Sequence, residues 1–162
     1  MQSRRPLGQR PSPDGLLDDV NKAIIEQLQQ DGRRSYAAMA TAVGLSEAAV
    51  RQRVQRLLDA GVMQIVAVTD PLRVGFHREA MIGVRVTGDS RIVAEAIATL
   101  PEVDYVVLTA GSFDIIAELV AENDDHLLEL INSRIRAMSQ VLATETFVYL
   151  RLVKQTYTWG VR

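Results

Sequence analysis

Midway along the chain the spacing of apolar residues changes, and that change restricts the fold more than any other feature. Up to about Leu58 apolar residues recur at helical intervals. Leu17, Val20, Ile24 and Leu28 share one face of a first helix, with Asp18 as its N-cap. "DGRRS" then breaks the helix. Ser35 caps a second helix whose apolar side is Tyr36, Met39, Ala40 and Val43. Gly44 ends it, because glycine most easily takes the left-handed conformation after a helix. Leu45 plugs the core and Ser46 caps a third helix, with Glu47 in its first turn suiting the helix dipole. Gly61 terminates that helix. "VMQIVAV" follows as a short apolar strand that makes the arrangement winged, and "TDPLRVGFH" reads as a linker.

Beyond the linker the period shortens. "EAMIGVRVT" is a strand with Ala80, Ile82, Val84 and Val86 on one side. "SRIVAEAIATL" is a helix stopped by Pro101, "VDYVVLTA" a strand, "GSFD" a turn and "IIAELVA" a strand. "NDDHLLELINSRIRAM" is a helix aligning Leu127, Ile131, Ile135 and Met138, and "TETFVYLRLV" is the last strand. The order is the split βαβ, ferredoxin-like arrangement. The fold class is therefore α+β. A winged helix-turn-helix over residues 16–68 and a linker over 69–78 lead into a βαββαβ domain over 79–156. An arm (1–15) and a tail (157–162) complete the chain.

Helices cover one face of a four-stranded sheet, yet several strands are apolar on both. Ile115, Ala117 and Leu119 alternate with Ile116 and Val120; Val148, Leu150 and Leu152 alternate with Phe147, Tyr149 and Val153. An apolar face left to water usually meets a partner, and the simplest is a second copy across a two-fold axis. The competing reading covers the face with the linker or the N-terminal domain.

The chain carries 18 Lys and Arg against 20 Asp and Glu, a net charge of −2 that argues weakly against nucleic acid. The distribution softens this. The bases through Val68 are Arg4, Arg5, Arg10, Lys22, Arg33, Arg34, Arg51, Arg53 and Arg56. The acids are Asp14, Asp18, Asp19, Glu26, Asp31, Glu47 and Asp59. That half is slightly positive, and a protein touching DNA with one half needs basic charge only there. The basic, Pro- and Gly-rich arm lacks the apolar core of a secretory signal, and no apolar run is long enough to span a bilayer. The absence of cysteine fits a reducing cytoplasm.

On the third helix Val50, Val54 and Leu57 point one way, into the core. Ala48, Gln52, Gln55 and Arg56 lie opposite, flanked by Ala49 and Arg51. Two alanines allow close approach to a groove and contact with a thymine methyl. Gln52 can make two hydrogen bonds to adenine, and Arg51, Arg53 and Arg56 reach guanine or phosphate. Backbone N–H groups at Ser35 and Ser46 can take phosphate. Arg33, Arg34 and Glu47 complete the candidate DNA-binding set. The plainer reading is a solvated face on a small helical hairpin, since such faces are often rich in Gln and Arg.

His77 and His126 have no second histidine or cysteine at ligand spacing, so no metal site is expected. Asp124 and Asp125 suit a helix start, and Tyr157 and Trp159 suit docking of the tail. No nucleophile–base pair or phosphate loop is visible, so neither an enzyme nor a cofactor is expected.

"LQQDGRRS", "VGLSEAAVRQRVQRL" and "AGVM" resemble the N-terminal domain of the Lrp/AsnC family, the feast/famine transcriptional regulators of bacteria and archaea. The resemblance continues through "TDPLRVG", and "TAGSFDIIAEL" is similar to the family's Gly-x-aromatic-Asp turn. It implies binding of double-stranded DNA through the helix-turn-helix and dimers formed by the second domain. It also implies assembly up to octamers and an amino-acid effector at interfaces between dimers. Ala110, Gly111, Ser112 and Asp114 occupy the turn that lines that site in the family. The bare pattern of Gly111 and Asp114 is equally that of an ordinary turn. Asn21 departs from the family pattern, where an acidic residue is common; so does the strand after Gly61, which lacks an aromatic. Neither is expected to change much. The arm is longer than typical.

Three readings remain at this point. One is a sequence-specific regulator sensing a small molecule such as an amino acid. Another is an architectural protein coating DNA with little sequence preference. The third is a small-molecule-binding module whose helical half docks a partner.

Overall fold

The computed structural model describes residues 15–156 and 160–161. The expectations for the arm up to residue 14 and for Tyr157 and Trp159 lie outside the described residues. Two compact units result: the first holds the three N-terminal helices, the second is Val68–Val153.

The first unit is built from α1 (Asp19–Gln30), α2 (Tyr36–Val43) and α3 (Glu47–Asp59). Its ends are set locally. Asp18, Ser35 and Ser46 accept from the backbone N–H groups of Asn21, Ala38 and Ala49, so each helix starts with an orphan donor satisfied. Gly44 has φ 69°, and this left-handed residue turns the chain from α2 towards α3. Ile24, Met39, Ala40, Val50 and Val54 form the core, with Leu28, Tyr36 and Leu45 packed at its margin.

The expected strand at "VMQIVAV" is not found. Residues 62–70 form neither helix nor strand, and Ile65, Val66 and Val68 are exposed. β propensity alone does not make a strand; the backbone needs a ladder partner, and none is present among the described residues. The helix-turn-helix stands, and the segment after it forms no wing strand among the described residues.

The second unit starts with a short 3-10 turn (Pro71–Arg73). It continues as β1 (Arg78–Val86), α4 (Ser90–Ile97), β2 (Val103–Leu108), β3 (Ile115–Ala121), α5 (Asp124–Glu129) and β4 (Val141–Val148). The sheet order is β2-β3-β1-β4, all antiparallel, which is the expected ferredoxin-like topology. Ala80, Ile82 and Val84 of β1 and Ile115, Ala117 and Leu119 of β3 face the helices. There they bury Val93, Ile97, Leu127, Ile131 and Ile135.

Two elements differ from expectation. The helix expected up to Met138 stops being α-helical at Leu130 and widens into a π-helical stretch, Leu130–Ile135. Asn132 and Ser133, both weak helix formers, lie inside it. The last strand starts earlier and ends at Val148. Ala80 pairs with Val148 and the Tyr149 N–H donates to Glu79 O, after which β1 supplies no further partner. Leu150 and Val153, expected inside that strand, are 97% and 90% exposed.

The face of the sheet away from the helices is less apolar than the alternation implied. Ile116 and Val120 are half-buried there, but Glu118 lies between them and accepts from the Tyr149 hydroxyl at 2.7 Å. Burial, reinforced by that bond, pushes the Tyr149 phenol well above its usual range. Burial also raises the Glu79 carboxyl, aided by Glu118 and Asp70. At the other end of this face, Phe113 lies flat over Gly83 and meets Phe147 edge to face, with centroids 6.3 Å apart.

Candidate nucleic-acid interface and effector turn

The outward side of α3 follows from its inward side. Val50, Val54 and Leu57 are fully buried, which fixes the helix rotation and leaves Ala48, Gln52, Gln55 and Arg56 exposed. Ala49 is half-buried at the flank. Gln55 is held by Asp59 at 2.8 Å. Gln52 and Arg56 have no side-chain partner among the described residues, so both are available to a ligand.

Arg51 is oriented rather than free. Glu47 one turn earlier holds it at 2.7 Å, and its guanidinium stacks 4.8 Å from the centre of the Tyr36 ring. Both charges are well exposed, so this pair adds little stability; it restricts where Arg51 points. A cavity of about 460 Å³ opens beside it, lined by Arg33, Arg34, Ser35, Tyr36, Glu47 and Ile65. Ser35 and Ser46 spend their hydroxyls as caps at 3.2 Å each.

Arg53, expected among the groups that reach DNA, turns its guanidinium back onto α1 in this structure. There it contacts Asp18 Oδ2 at 2.6 Å and Asn21 Oδ1 at 3.0 Å. The Asn21 amide donates to Leu16 O at 2.7 Å, so the buried asparagine joins the chain entry, α1 and α3. Here the departure from the family pattern has a structural role. An uncharged acceptor suffices at 21 because Asp18 already supplies the counter-charge.

The Arg53 hydrogen bond is the main reason the Asp18 carboxyl sits below its ordinary 3.8, with the Asn21 N–H helping. A carboxylate with a depressed folded value adds stability that is complete above the unfolded value. That stability is lost as pH falls through the folded one. Lowering the pH below about 4 should therefore loosen the first unit. Asp18→Asn should flatten that part of the pH–stability curve, as measured by urea unfolding between pH 2 and pH 6. An unchanged acid limb would remove Asp18 from the cause.

The turn expected to line an effector site is tightly pinned at one end. Asp114 accepts the Val86 N–H with its side chain at 2.9 Å. Its own N–H donates to Val84 O at 3.0 Å, and its carbonyl accepts the Thr109 N–H at 2.9 Å. The Asp114 carboxylate is thus already committed through one oxygen to β1. Ala110, Gly111 and Ser112 are exposed. Gly111 has no left-handed φ, and a Cβ there would meet nothing within 4 Å. Neither backbone nor packing in this unit requires glycine at that position.

Sequence reasoning missed Arg85, Phe113 and Glu145. They line a second cavity of about 330 Å³ with Ser112, Ala143 and Thr144. The β1–β4 register brings Arg85 and Glu145 together, and no local signal marks that; Phe113, the aromatic of the Gly-x-aromatic-Asp turn, reaches them from the turn before β3. His77 and His126 lie in no group of three or more potential metal ligands among the described residues. Among the same residues no helix is long and apolar enough to cross a membrane.

Residues 17–58 match the family model for the AsnC-type helix-turn-helix domain. Residues 77–162 match that for the C-terminal dimeric alpha+beta barrel domain of AsnC-type regulators. The chain is 33% identical over 147 residues to an uncharacterised HTH-type transcriptional regulator of Pyrococcus furiosus, spanning 90% of this chain and 97% of that one. It is 31% identical over 144 residues to the HTH-type transcriptional regulator FL11 of the same organism, spanning 88% and 95%. Among solved structures, E. coli AsnC superposes with a TM-score of 0.74 at 22% identity, over 86% of this chain and 95% of that one. A Neisseria meningitidis transcriptional regulator in complex with L-Met gives 0.76 at 22%, over 87% and 94%.

Proposed function

Because this chain belongs to the Lrp/AsnC family of helix-turn-helix transcriptional regulators, and is a regulator rather than an enzyme, we propose that it binds DNA sequence-specifically and responds to an amino acid. The observation that carries the first half is the outward face of α3. A buried Val50–Val54–Leu57 stripe leaves Ala48, Gln52 and Arg56 exposed at helical spacing. Gln52 and Arg56 are unengaged there among the described residues. Gln52 reads a base edge, Ala48 and Ala49 permit close approach, and Arg51, aimed by Glu47 and Tyr36, reads guanine or takes a phosphate. Arg56, Arg33 and Arg34 contact the phosphate backbone, with the first-turn N–H groups after Ser35 and Ser46. Gln55, held by Asp59, supports the rim. Arg53 positions the helix instead.

The effector half rests on the turn after β2. Ala110, Gly111 and Ser112 are exposed, and the bare Gly111 lets a ligand approach the backbone closely. Asp114 holds the turn and keeps one carboxylate oxygen for an ammonium group. The Neisseria relative with L-Met bound supports a ligand of this class. Dimers assemble further, up to octamers, through the outer side of the helix layer, where Ile92 and Leu128 are each 57% exposed. An effector that changes this assembly changes multivalent affinity for DNA in the cytoplasm.

Selection of genomic fragments by the purified chain, with and without a pool of amino acids, tests the proposal. Enrichment of one palindromic motif, altered by the pool, is expected. Retention of all fragments alike would mean an architectural protein, and no retention at low salt would mean a structural hairpin. Gln52→Ala should lose about 1–3 kcal/mol at the selected site and little on random DNA. Arg56→Ala should weaken both alike and lower the salt dependence. Titrations by fluorescence anisotropy at two salt concentrations separate these outcomes.

A further inference from the structure

We propose that Arg85 and Glu145 form reciprocal ion pairs across the dimer, Arg85 of each copy meeting Glu145 of the partner subunit, and that this pairing decides which copies associate. In the β1–β4 ladder Arg85 stands opposite Ala143 and Glu145 opposite Gly83. The two charges therefore share the open sheet face, offset diagonally by two positions, a separation of about 7–8 Å between Cα atoms. Both side chains are exposed, and neither makes a hydrogen bond or ion pair among the described residues. The Glu118 carboxylate on this face is instead occupied by Tyr149. Glu79 lies six residues from Arg85 along β1, roughly 20 Å away at strand rise.

The surroundings suit an incoming side chain. Arg85 and Glu145 border the cavity of about 330 Å³ beside Phe113. Phe113 packs on Phe147, which is 43% exposed. An aromatic centre with opposite charges at its margin is the pattern of a specific interface.

The occupant is a second copy of this chain, for two reasons. The domain matches a family described as dimeric. A face carrying one cation and one anion side by side is also its own electrostatic complement. In a two-fold interface, if residue i meets residue j, then j meets i. A two-fold axis lying between facing sheets, across the line that joins the two residues, places each charge over its opposite. The proposal rests on the dimeric character of the second domain and not on the DNA or effector readings.

Dilution series of the full chain, followed by analytical ultracentrifugation, test it. Arg85→Glu and Glu145→Arg each create two like-charge contacts and should weaken the dimer roughly a hundredfold. The double reversal should return the constant to within about tenfold of the unaltered chain. An equimolar mixture of the two single variants should form heterodimers in preference to either homodimer, because both pairs are then restored. This mixture keeps the test decisive even if one variant is poorly stable alone. Single variants that dimerise as tightly as the unaltered chain would overturn the proposal. So would weakened singles that neither the double reversal nor the mixture recovers. Unchanged dimers that lose their response to the amino-acid pool would make the cavity a small-molecule pocket instead, and would also overturn it. Failure of the DNA reading would leave every dimer constant unchanged, so the two failures are distinguishable.

Discussion

Ile24→Ala should abolish DNA binding while leaving the chain dimeric. Ile24 is fully buried at the middle of α1, in the core shared by Met39, Ala40, Val50 and Val54. Truncating a buried isoleucine removes transfer free energy and leaves a cavity, together about 2–5 kcal/mol. A unit of three short helices has little stability to spare, so this loss takes most of it. The sheet domain has its own core, around Ile82, Ile97 and Ile135, and should persist. Residue-resolved hydrogen exchange is the measurement: protection should disappear from α1–α3 and remain in β1, β3 and β4. Loss of protection throughout would show that the two cores unfold as one. Ile82→Ala is the matching control, with the opposite distribution expected.

The second large effect is at Gly83. A Cβ there would fall 2.6 Å from two atoms of the Phe113 ring, closer than real contacts allow. Gly83 has no left-handed φ; its lack of a side chain serves the ring, not the turn of the backbone. A glycine inside a strand often marks such a close approach. Gly83→Ala should therefore destabilise by about 1–3 kcal/mol through overpacking, even though alanine favours an extended chain more than glycine does. Phe113→Ala should remove the clash. The double variant should then be less damaged than the two single losses added together. Urea unfolding of all four proteins measures the coupling. Strict additivity would mean that Phe113 swings aside at no cost.

What the sequence disclosed and what it withheld divide along a physical line. Asp18, Ser35, Gly44 and Ser46 were legible as helix ends because each acts within four residues of itself. The strand order was legible from the alternation of the period. The α3 face was legible because Val50, Val54 and Leu57 fix its rotation. Arg53 was not, because its partners Asp18 and Asn21 lie more than thirty residues away. A basic residue on a helix flank looks the same whether it meets phosphate or a neighbouring helix. The segment 62–68 reads as a strand by composition, but pairing belongs to two backbones and no single stretch encodes it. The end of β4 likewise depends on where β1 begins. Arg85 and Glu145 are sixty residues apart in the chain and become neighbours only through register.

The way Asp114 is held has a mechanical meaning. Its N–H is bonded to Val84 and its side chain to Val86, the two residues that flank Arg85, at the place where the β1–β4 register slips. Turn and strand are thereby riveted at two points around one charged side chain. A molecule that displaces the turn by more than these two bonds can stretch must either break one or carry the backbone around Arg85 with it. If the proposed roles hold, the loop that senses a ligand and the residue that grips a second copy are opposite ends of one short lever.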